Sequence, residues 1–399
     1  MTSSPESLAP TPGPARPAAA TAILGDLQQH LGAQPQRAEA WYALGVALSN
    51  ERRFAEAAAA LQSASTLSPT NPAIEAAWAW ALVGVGESAR AGEILEEVVS
   101  REPGQGWAID MLAAVRFRQG RLAEAESLWA AAVQFLESPT GVLENLAVVR
   151  RRLGDSEGER RCWRRIADLD PGNPMAEHML GAMGEAPARP RAADAYVEQL
   201  FDRFAGDFDD VLARLEYAVP DLCERWLRRS EGEPRAGLRI LDVGCGTGLA
   251  GERLRPWAQT LIGVDLSSGM LERAASRGAY SALHRSELLD FLKRYPSASH
   301  PHFDVVVAAD VLCYFGDVAP FVKAAMEVLG PGGWLAFSVE AAPANTGGDY
   351  VLRPHGRYAH SIKALASLLP EGTTFEPITV RLELGRPVEG YWVAARKRG

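Results

Sequence analysis

The stretch "ILDVGCGTGLAGE", Ile240 to Glu252, decides the reading of this chain. An apolar run ends in three glycines within five positions, Gly244, Gly246 and Gly248, and then turns helical. Glycine costs roughly 0.5–1 kcal/mol relative to alanine inside a regular element. Three at one strand-to-helix turn therefore imply that something approaches the main chain closely. The segments around the turn alternate. "GLRILDV" reads as a buried strand over Leu238–Val243 and "GLAGERLRPW" as a helix start. "TLIGVDL", Thr260–Leu266, is a second strand closing on an acid. "GMLERAASRG" is helical, "FDVVVAADVL" a strand, "VAPFVKAAMEVL" a helix and "GGWLAFSVE" a strand. Alternation of this kind predicts a doubly wound, mostly parallel sheet, which binds ligands beyond the carboxyl ends of its strands. The glycine turn lies at such an end. "PITVRLELGRPVEGYWVAARKR" adds two strand patterns around Gly385-Arg386-Pro387, an antiparallel hairpin.

The loop reads G-x-G-x-G. A dinucleotide loop, G-x-G-x-x-G, needs glycine where Leu249 stands, which disfavours a nicotinamide-dependent oxidoreductase, and a P-loop needs G-K-[ST], absent here. No Lys or Arg within the loop neutralises a phosphate. Asp265 ends the next strand, where a carboxylate accepts hydrogen bonds from both hydroxyls of a ribose. The parts together suit a nucleoside without a required pyrophosphate.

That combination resembles the class I S-adenosylmethionine-dependent methyltransferases over roughly 196–399. The resemblance rests on "ILDVGCGTG", "VDLSSGMLERA", "FDVVVAADVL" and "VLGPGGWLAFS". It implies a Rossmann-like domain with S-adenosylmethionine as cofactor, and a residue-by-residue site. Asp242, Gly244, Cys245, Gly246 and Gly248 enclose the methionine portion, and Asp265 binds the ribose. Leu266 and Met270 pack on the adenine; Glu287 accepts from its amino group, where the family usually has Asp, and Leu288 packs on its face. Ala309 and Asp310 end the fourth strand beside the sulfonium, Asp310 reading equally as a helix N-cap.

On the acceptor side the candidates are His360, Tyr358, Arg357 and Glu340, with Tyr314 and Phe315 shaping the pocket. His360 is the one whose ordinary pKa lies near neutrality. It reads as a general base, a substrate orienter or a structural helix-capping residue. Arg357 reads as an anchor for an anionic acceptor or as half of a stabilising ion pair. "DVLC" stands in place of the [DN]-P-P-[YF] run of nucleobase amino-group methylases, which argues against such targets. Upstream, "YVEQLFDRFAGDFDDVLARLEYAVPDLCERWL" places Leu200, Phe201, Phe204 and Phe208 at helical spacing, either as core or as a lid.

The first half repeats. "WYALGVALSNERRFAEAAAALQSASTLSPTNP", Trp41 to Pro72, returns as "WAIDMLAAVRFRQGRLAEAESLWAAAVQFLESP", Trp107 to Pro139. Pro69 and Pro103 stand 34 residues apart, and Pro139 falls two late, which reads as a longer third unit. Each unit is two helical patterns with a polar turn between them, closed by a proline that cannot continue the helix. The period and "WYALG", Trp41 to Gly45, resemble the tetratricopeptide repeat (TPR), with about four units over 38–174 and a capping helix over 22–37. Glu75 departs from the pattern at the position of Trp41. One unit cannot bury its apolar face, so the units stack as an α-solenoid. The resemblance implies a surface for a protein or peptide partner; a purely structural appendage is the alternative.

The 399 residues carry a formal net charge of −9, which disfavours nonspecific nucleic-acid or membrane-surface binding. The Arg-rich runs at 150–152 and 160–165 read as solvated helix faces. Four cysteines, with no C-x-x-C pair and no zinc-like histidine spacing, suit a reducing, cytoplasmic setting without a metal. The predicted organisation is a disordered Pro/Ala tail over 1–21, a TPR-like helical domain over 22–180, a Gly/Ala/Pro linker over 181–195 and a methyltransferase domain over 196–399. Two functions follow from it. One is methyl transfer from S-adenosylmethionine to a small-molecule or protein acceptor, the repeats binding a partner or substrate. The other is a TPR scaffold carrying an inactive methyltransferase domain.

Overall fold

In the computed structural model the described residues are 36–187, 189–206, 208–295, 301–383 and 386–398. The predicted tail and nearly all of the predicted capping helix lie outside them. The chain divides at Pro171/Gly172 into two compact units.

The first unit holds eight described helices: α1 (Ala38–Asn50), α2 (Phe54–Leu67), α3 (Pro72–Gly84), α4 (Ser88–Arg101), α5 (Gly106–Arg118), α6 (Leu122–Ala132), α7 (Thr140–Leu153) and α8 (Ser156–Leu169). The first helices of successive pairs begin 34 residues apart, at Ala38, Pro72, Gly106 and Thr140; the second helices keep the same interval, at Phe54, Ser88, Leu122 and Ser156. The third unit is therefore not longer. Pro139 does not end α6, which stops at Ala132; it occupies the N-cap position of α7. Small residues let the paired helices approach: a Cβ on Gly45 would sit 2.4 Å from Leu61 Cγ, and Ala57, Ala64, Ala91 and Ala125 are fully buried. Glu75 is buried against Arg101, which neutralises the acid standing in place of the repeat's tryptophan.

The turn inside each pair is left-handed at one position. Gly86, Gly120 and Gly154 have φ of +92°, +75° and +82°, and Arg52 fills the equivalent place at φ +59°. A side chain in that conformation costs roughly 1–2 kcal/mol.

The second unit opens with α9 (Pro174–Ala182), capped by Asn173, whose Oδ1 accepts from Met175 N and Ala176 N. Its start at Pro174 falls 34 residues after that of α7, so it keeps the repeat's interval while belonging to the second unit. Nor is 181–195 a free linker. Ala192 N donates to Tyr314 O at 2.8 Å, Gly316 N and Asp317 N donate to Pro190 O, and Tyr358 Oη donates to Arg189 O at 2.9 Å. Main-chain groups of Arg189, Pro190 and Ala192 are thus paired, which composition alone does not reveal. Helices α10 (Asp194–Phe204), α11 (Phe208–Arg214) and α12 (Val219–Glu231) follow.

The sheet runs β3 (Ala282–Arg285), β2 (Ala258–Asp265), β1 (Leu238–Val243), β4 (Phe303–Ala308), β5 (Leu329–Ala341), all parallel. Between them lie α13 (Leu249–Leu254), α14 (Ser268–Ser276), α15 (Leu288–Arg294) and α16 (Ala319–Val328). Ile240, Leu241 and Val243 of β1 and Val305–Val307 of β4 are fully buried, as a sheet covered on both faces requires. The C-terminal hairpin, β8 (Thr374–Glu383) and β9 (Arg386–Arg396), adds antiparallel to β5. A second hairpin, β6 (Tyr350–Leu352) and β7 (Tyr358–His360), precedes α17 (Ile362–Leu368). Glu340 pairs with Gly390 of β9 and with Ala359 of β7, so the two strands flank β5 on opposite sides. β9 opposes β4, and β7 accordingly lies on the β4 side, past its carboxyl end.

Replacing Arg52 with glycine relieves the one non-glycine left-handed turn of the four pairs. Arg52→Gly is expected to raise unfolding stability by about 0.5–1 kcal/mol, and Gly120→Ala to lower it by a similar amount, read from urea denaturation followed by tryptophan fluorescence.

Candidate active site

A cavity of about 1070 Å³, counted out to its mouth, opens at the carboxyl ends of β1, β2 and β4. Its floor is the glycine turn, and the three glycines serve different ends. All have positive φ, +70°, +53° and +90°. A Cβ on Gly244 would sit 2.4 Å from Val311 Cγ2, and one on Gly248 would crowd Tyr280 and the Ala274 backbone at 3.0 and 3.3 Å. These two glycines serve packing. Gly246 alone of the three has nothing within 4 Å of an added Cβ, and it lines the cavity. The close approach that the sequence suggested at three glycines belongs to one.

Two carboxylates border that space, Asp242 buried and Asp265 half-buried. Asp265 Oδ2 accepts from Gly246 N and Oδ1 from Ser267 N, both at 2.9 Å. Burial pushes its carboxyl up, opposed by those amides. Each oxygen keeps a second lone pair for a ligand hydroxyl. Asp242 is fully buried; Oδ2 accepts from Tyr280 Oη at 2.7 Å, and Oδ1 has no partner among the described residues. Burial raises its pKa to about 7, the tyrosine bond working against that rise. A buried acceptor without a donor is costly, and here it belongs to a cavity-lining residue that a ligand's N–H can satisfy.

Aromatic side chains form the opposite wall. Phe201 of α10 meets Phe208 of α11 at 6.0 Å and Tyr314 at 5.4 Å, both edge to face, and all three line the cavity with Tyr217. The lid reading thus applies to Phe201 and Phe208, while Leu200 is buried outside the lining. Helix α11 is tied to the glycine turn and α10 to the turn after β2. Asp209 accepts from Thr247 Oγ1 at 2.6 Å and from Arg277 Nη2 at 2.5 Å, and Asp202 accepts from Ser267 Oγ at 2.5 Å. Arg191 and Ala192, from the stretch read as a linker, complete the wall.

The structure gathers most of the predicted donor residues. Asp242, Gly244, Cys245, Gly246, Asp265, Leu266, Glu287, Leu288, Ala309 and Asp310 all line the cavity. Gly248 and Met270 do not; Met270 is fully buried in α14. Glu287 also caps α15, accepting from Asp290 N at 2.9 Å. Asp310 is not an N-cap: its φ is +57°, its amide donates to Ser338 Oγ at 2.7 Å and its carboxylate pairs with Arg357.

On the acceptor side only Arg357, Tyr314 and Phe315 reach the cavity. Arg357 is 3% exposed at its side chain and held between Asp310 and Glu340, 2.5 Å from the latter. That is the ion-pair reading. His360 is 2% exposed and donates from Nε2 to Phe315 O at 2.7 Å; burial lowers its pKa to about 4, so it is a neutral structural residue away from the cavity. Tyr358 is fully buried with its hydroxyl on Arg189 O. Both alternate with residues of a strand whose burial no spacing rule exposes. Tyr280, Asp209 and Arg277 were missed because no motif marks them; they act through a partner far off in sequence.

A methyltransferase-domain family model matches residues 241–335, and a model of the TPR domain of cytochrome c-type biogenesis protein H matches residues 21–140. The chain is 30% identical over 226 residues to methyltransferase-like protein 27 of Homo sapiens, spanning 55% of this chain and 84% of that protein. It is 33% identical over 187 residues to the ubiquinone biosynthesis O-methyltransferase of Thiobacillus denitrificans, 41% of this chain and 80% of that one. The N-methyltransferase NodS of Bradyrhizobium japonicum, solved with S-adenosyl-L-homocysteine, is 21% identical with a TM-score of 0.35, covering 45% of this chain and 87% of NodS. The chain belongs to the methyltransferase family and carries a TPR domain ahead of the methyltransferase domain.

The glycine roles are separable. Gly244→Ala, which collides with Val311, is expected to lower the unfolding temperature by several degrees more than Gly246→Ala, whose cost is left-handed strain of about 1–2 kcal/mol, in parallel thermal melts.

Proposed function

We propose that this cavity binds S-adenosylmethionine with its methionine portion over Gly246 and its ammonium on Asp242, its ribose on Asp265, and its adenine between Leu266 and Leu288 near Glu287. The observation that carries the reading is the unpartnered, fully buried Asp242 Oδ1 in the lining of the one open stretch of the glycine turn. The donor supplies an electrophilic methyl: the acceptor's lone pair forms the new bond to carbon, the carbon–sulfur bond breaks, and its pair stays on sulfur. The chain's residues align the two partners and keep water out, an effect worth several kcal/mol. Ala309 and Asp310, past the end of β4, face the transfer, and the aromatic wall closes over it. Arg357 holds Asp310 in place. We infer further that the TPR unit binds a protein or peptide partner, or presents the acceptor, and that the protein works in the cytoplasm. Among the described residues no helix is long and apolar enough to cross a membrane. Labelled methyl donor added to lysate with the purified protein, followed by identification of the product, tests the acceptor.

Asp265→Ala is expected to weaken S-adenosylmethionine binding about tenfold to a hundredfold, the worth of charge-assisted hydrogen bonds, by calorimetry. The pH dependence has a definite sign. Asp242 is protonated below about pH 7, and an ammonium ligand requires its carboxylate. Donor affinity should therefore fall as pH drops from 8 to 6, by up to about tenfold per unit below the pKa, and Asp242→Asn should flatten that dependence. Unchanged affinity in both variants refutes the assignment.

A further inference from the structure

The acceptor end of the cavity has a charge balance that narrows the acceptor's chemistry. Of the carboxylates that line the cavity, Asp242, Asp265 and Glu287 belong to the donor reading; Asp310 remains at this end, Asp194 lies against Arg191, and the whole cavity has two arginines. Neither arginine is spare. Arg191 is 2.5 Å from Asp194 and 3.5 Å from Glu287, and Arg357 lies between Asp310 and Glu340. No histidine or lysine lines the cavity among the described residues. An anionic acceptor would meet carboxylates with no uncommitted cation to receive it.

A cationic acceptor needs no such cation. We propose that the methyl acceptor is an amine that enters this end of the cavity as an ammonium ion, held by the Asp310 carboxylate beside the cavity-lining rings of Tyr217 and Phe201; the inference rests on the donor-site reading above. Asp310 is 18% exposed at its side chain; Oδ1 takes Arg357, and Oδ2 has no partner among the described residues. The left-handed backbone at Asp310, held by its amide on Ser338 Oγ, fixes the carboxylate at the end of β4. Aromatic faces attract cations, most where water is excluded. The ammonium releases one proton to water before attack. Its freed lone pair forms the nitrogen–carbon bond as the carbon–sulfur bond breaks, the pair remaining on sulfur. The positive charge ends on a methylammonium.

The test uses binding, which separates it from the donor reading. Full-length protein saturated with S-adenosylhomocysteine, its saturation confirmed by calorimetry, is titrated with phenethylammonium, 2-phenylethanol and 3-phenylpropionate, matched in size and differing in charge. The expected order is cation, then neutral, then anion, with about tenfold or more between the ends, the effect of a charge pair partly shielded from water. Asp310→Asn, brought to S-adenosylhomocysteine saturation at whatever concentration it requires and with that saturation confirmed by calorimetry, should shrink that span to about threefold or less. Equal or tighter binding of the carboxylate, or no detectable cation binding, overturns the proposal. Loss of S-adenosylhomocysteine binding by the wild type would instead overturn the donor site.

Discussion

The hydrogen bond from the Gly246 amide to Asp265 is the contact on which the site depends. It ties the turn after β1 to the end of β2 and orients a main chain that has no side chain to steer it. A second amide, that of Ser267, fixes the other carboxylate oxygen. With both oxygens committed to main chain, the carboxylate cannot rotate, and its remaining lone pairs point in set directions. Burial raises the cost of its charge, and the amides lower it again. The flanking glycines let Val311 and Tyr280 pack against the turn from either side. Of the three glycines in the turn, Gly246 alone is left uncrowded.

The same logic governs the acceptor end at higher electrostatic stakes. Arg357, Asp310 and Glu340 place three charges where little water reaches. Desolvation raises the Glu340 carboxyl, and the guanidinium opposes that rise. Removing one partner from such a cluster leaves a buried charge uncompensated, which typically costs about 3–5 kcal/mol. Arg357 comes from the β6–β7 hairpin and Asp310 from the end of β4, so the cluster fixes a short, otherwise weakly held hairpin over the catalytic end of the sheet.

Much of this was legible in the sequence because it is local. β1 spans Leu238–Val243 as its apolar run predicts, and the repeat interval is written in the proline and alanine spacing. The donor residues followed from the glycine turn and the acid seventeen positions on. What the sequence hid is what depends on distant partners. β3, "ALHR", and the three-residue strands β6 and β7 are too short and too mixed to show a period. The stretch 189–192 reads as a linker because proline and alanine carry no pattern; its structure comes from carbonyls and amides paired with 314–317. His360 attracted a catalytic reading by its ordinary pKa, and burial removed the property that recommended it.

Helix α9 counts with the repeats and packs with the catalytic unit. His178 donates to Gly356 O at 2.8 Å and stacks on Tyr196 at 3.9 Å, while Met179 Sδ closes over Gly356, whose φ is +85°. The next residue is Arg357. Whoever wishes to express the catalytic part by itself must therefore cut ahead of Gly172: a fragment begun after α9 would strip the covering from the bend that delivers its guanidinium. The metre of one fold has supplied a buttress to the other.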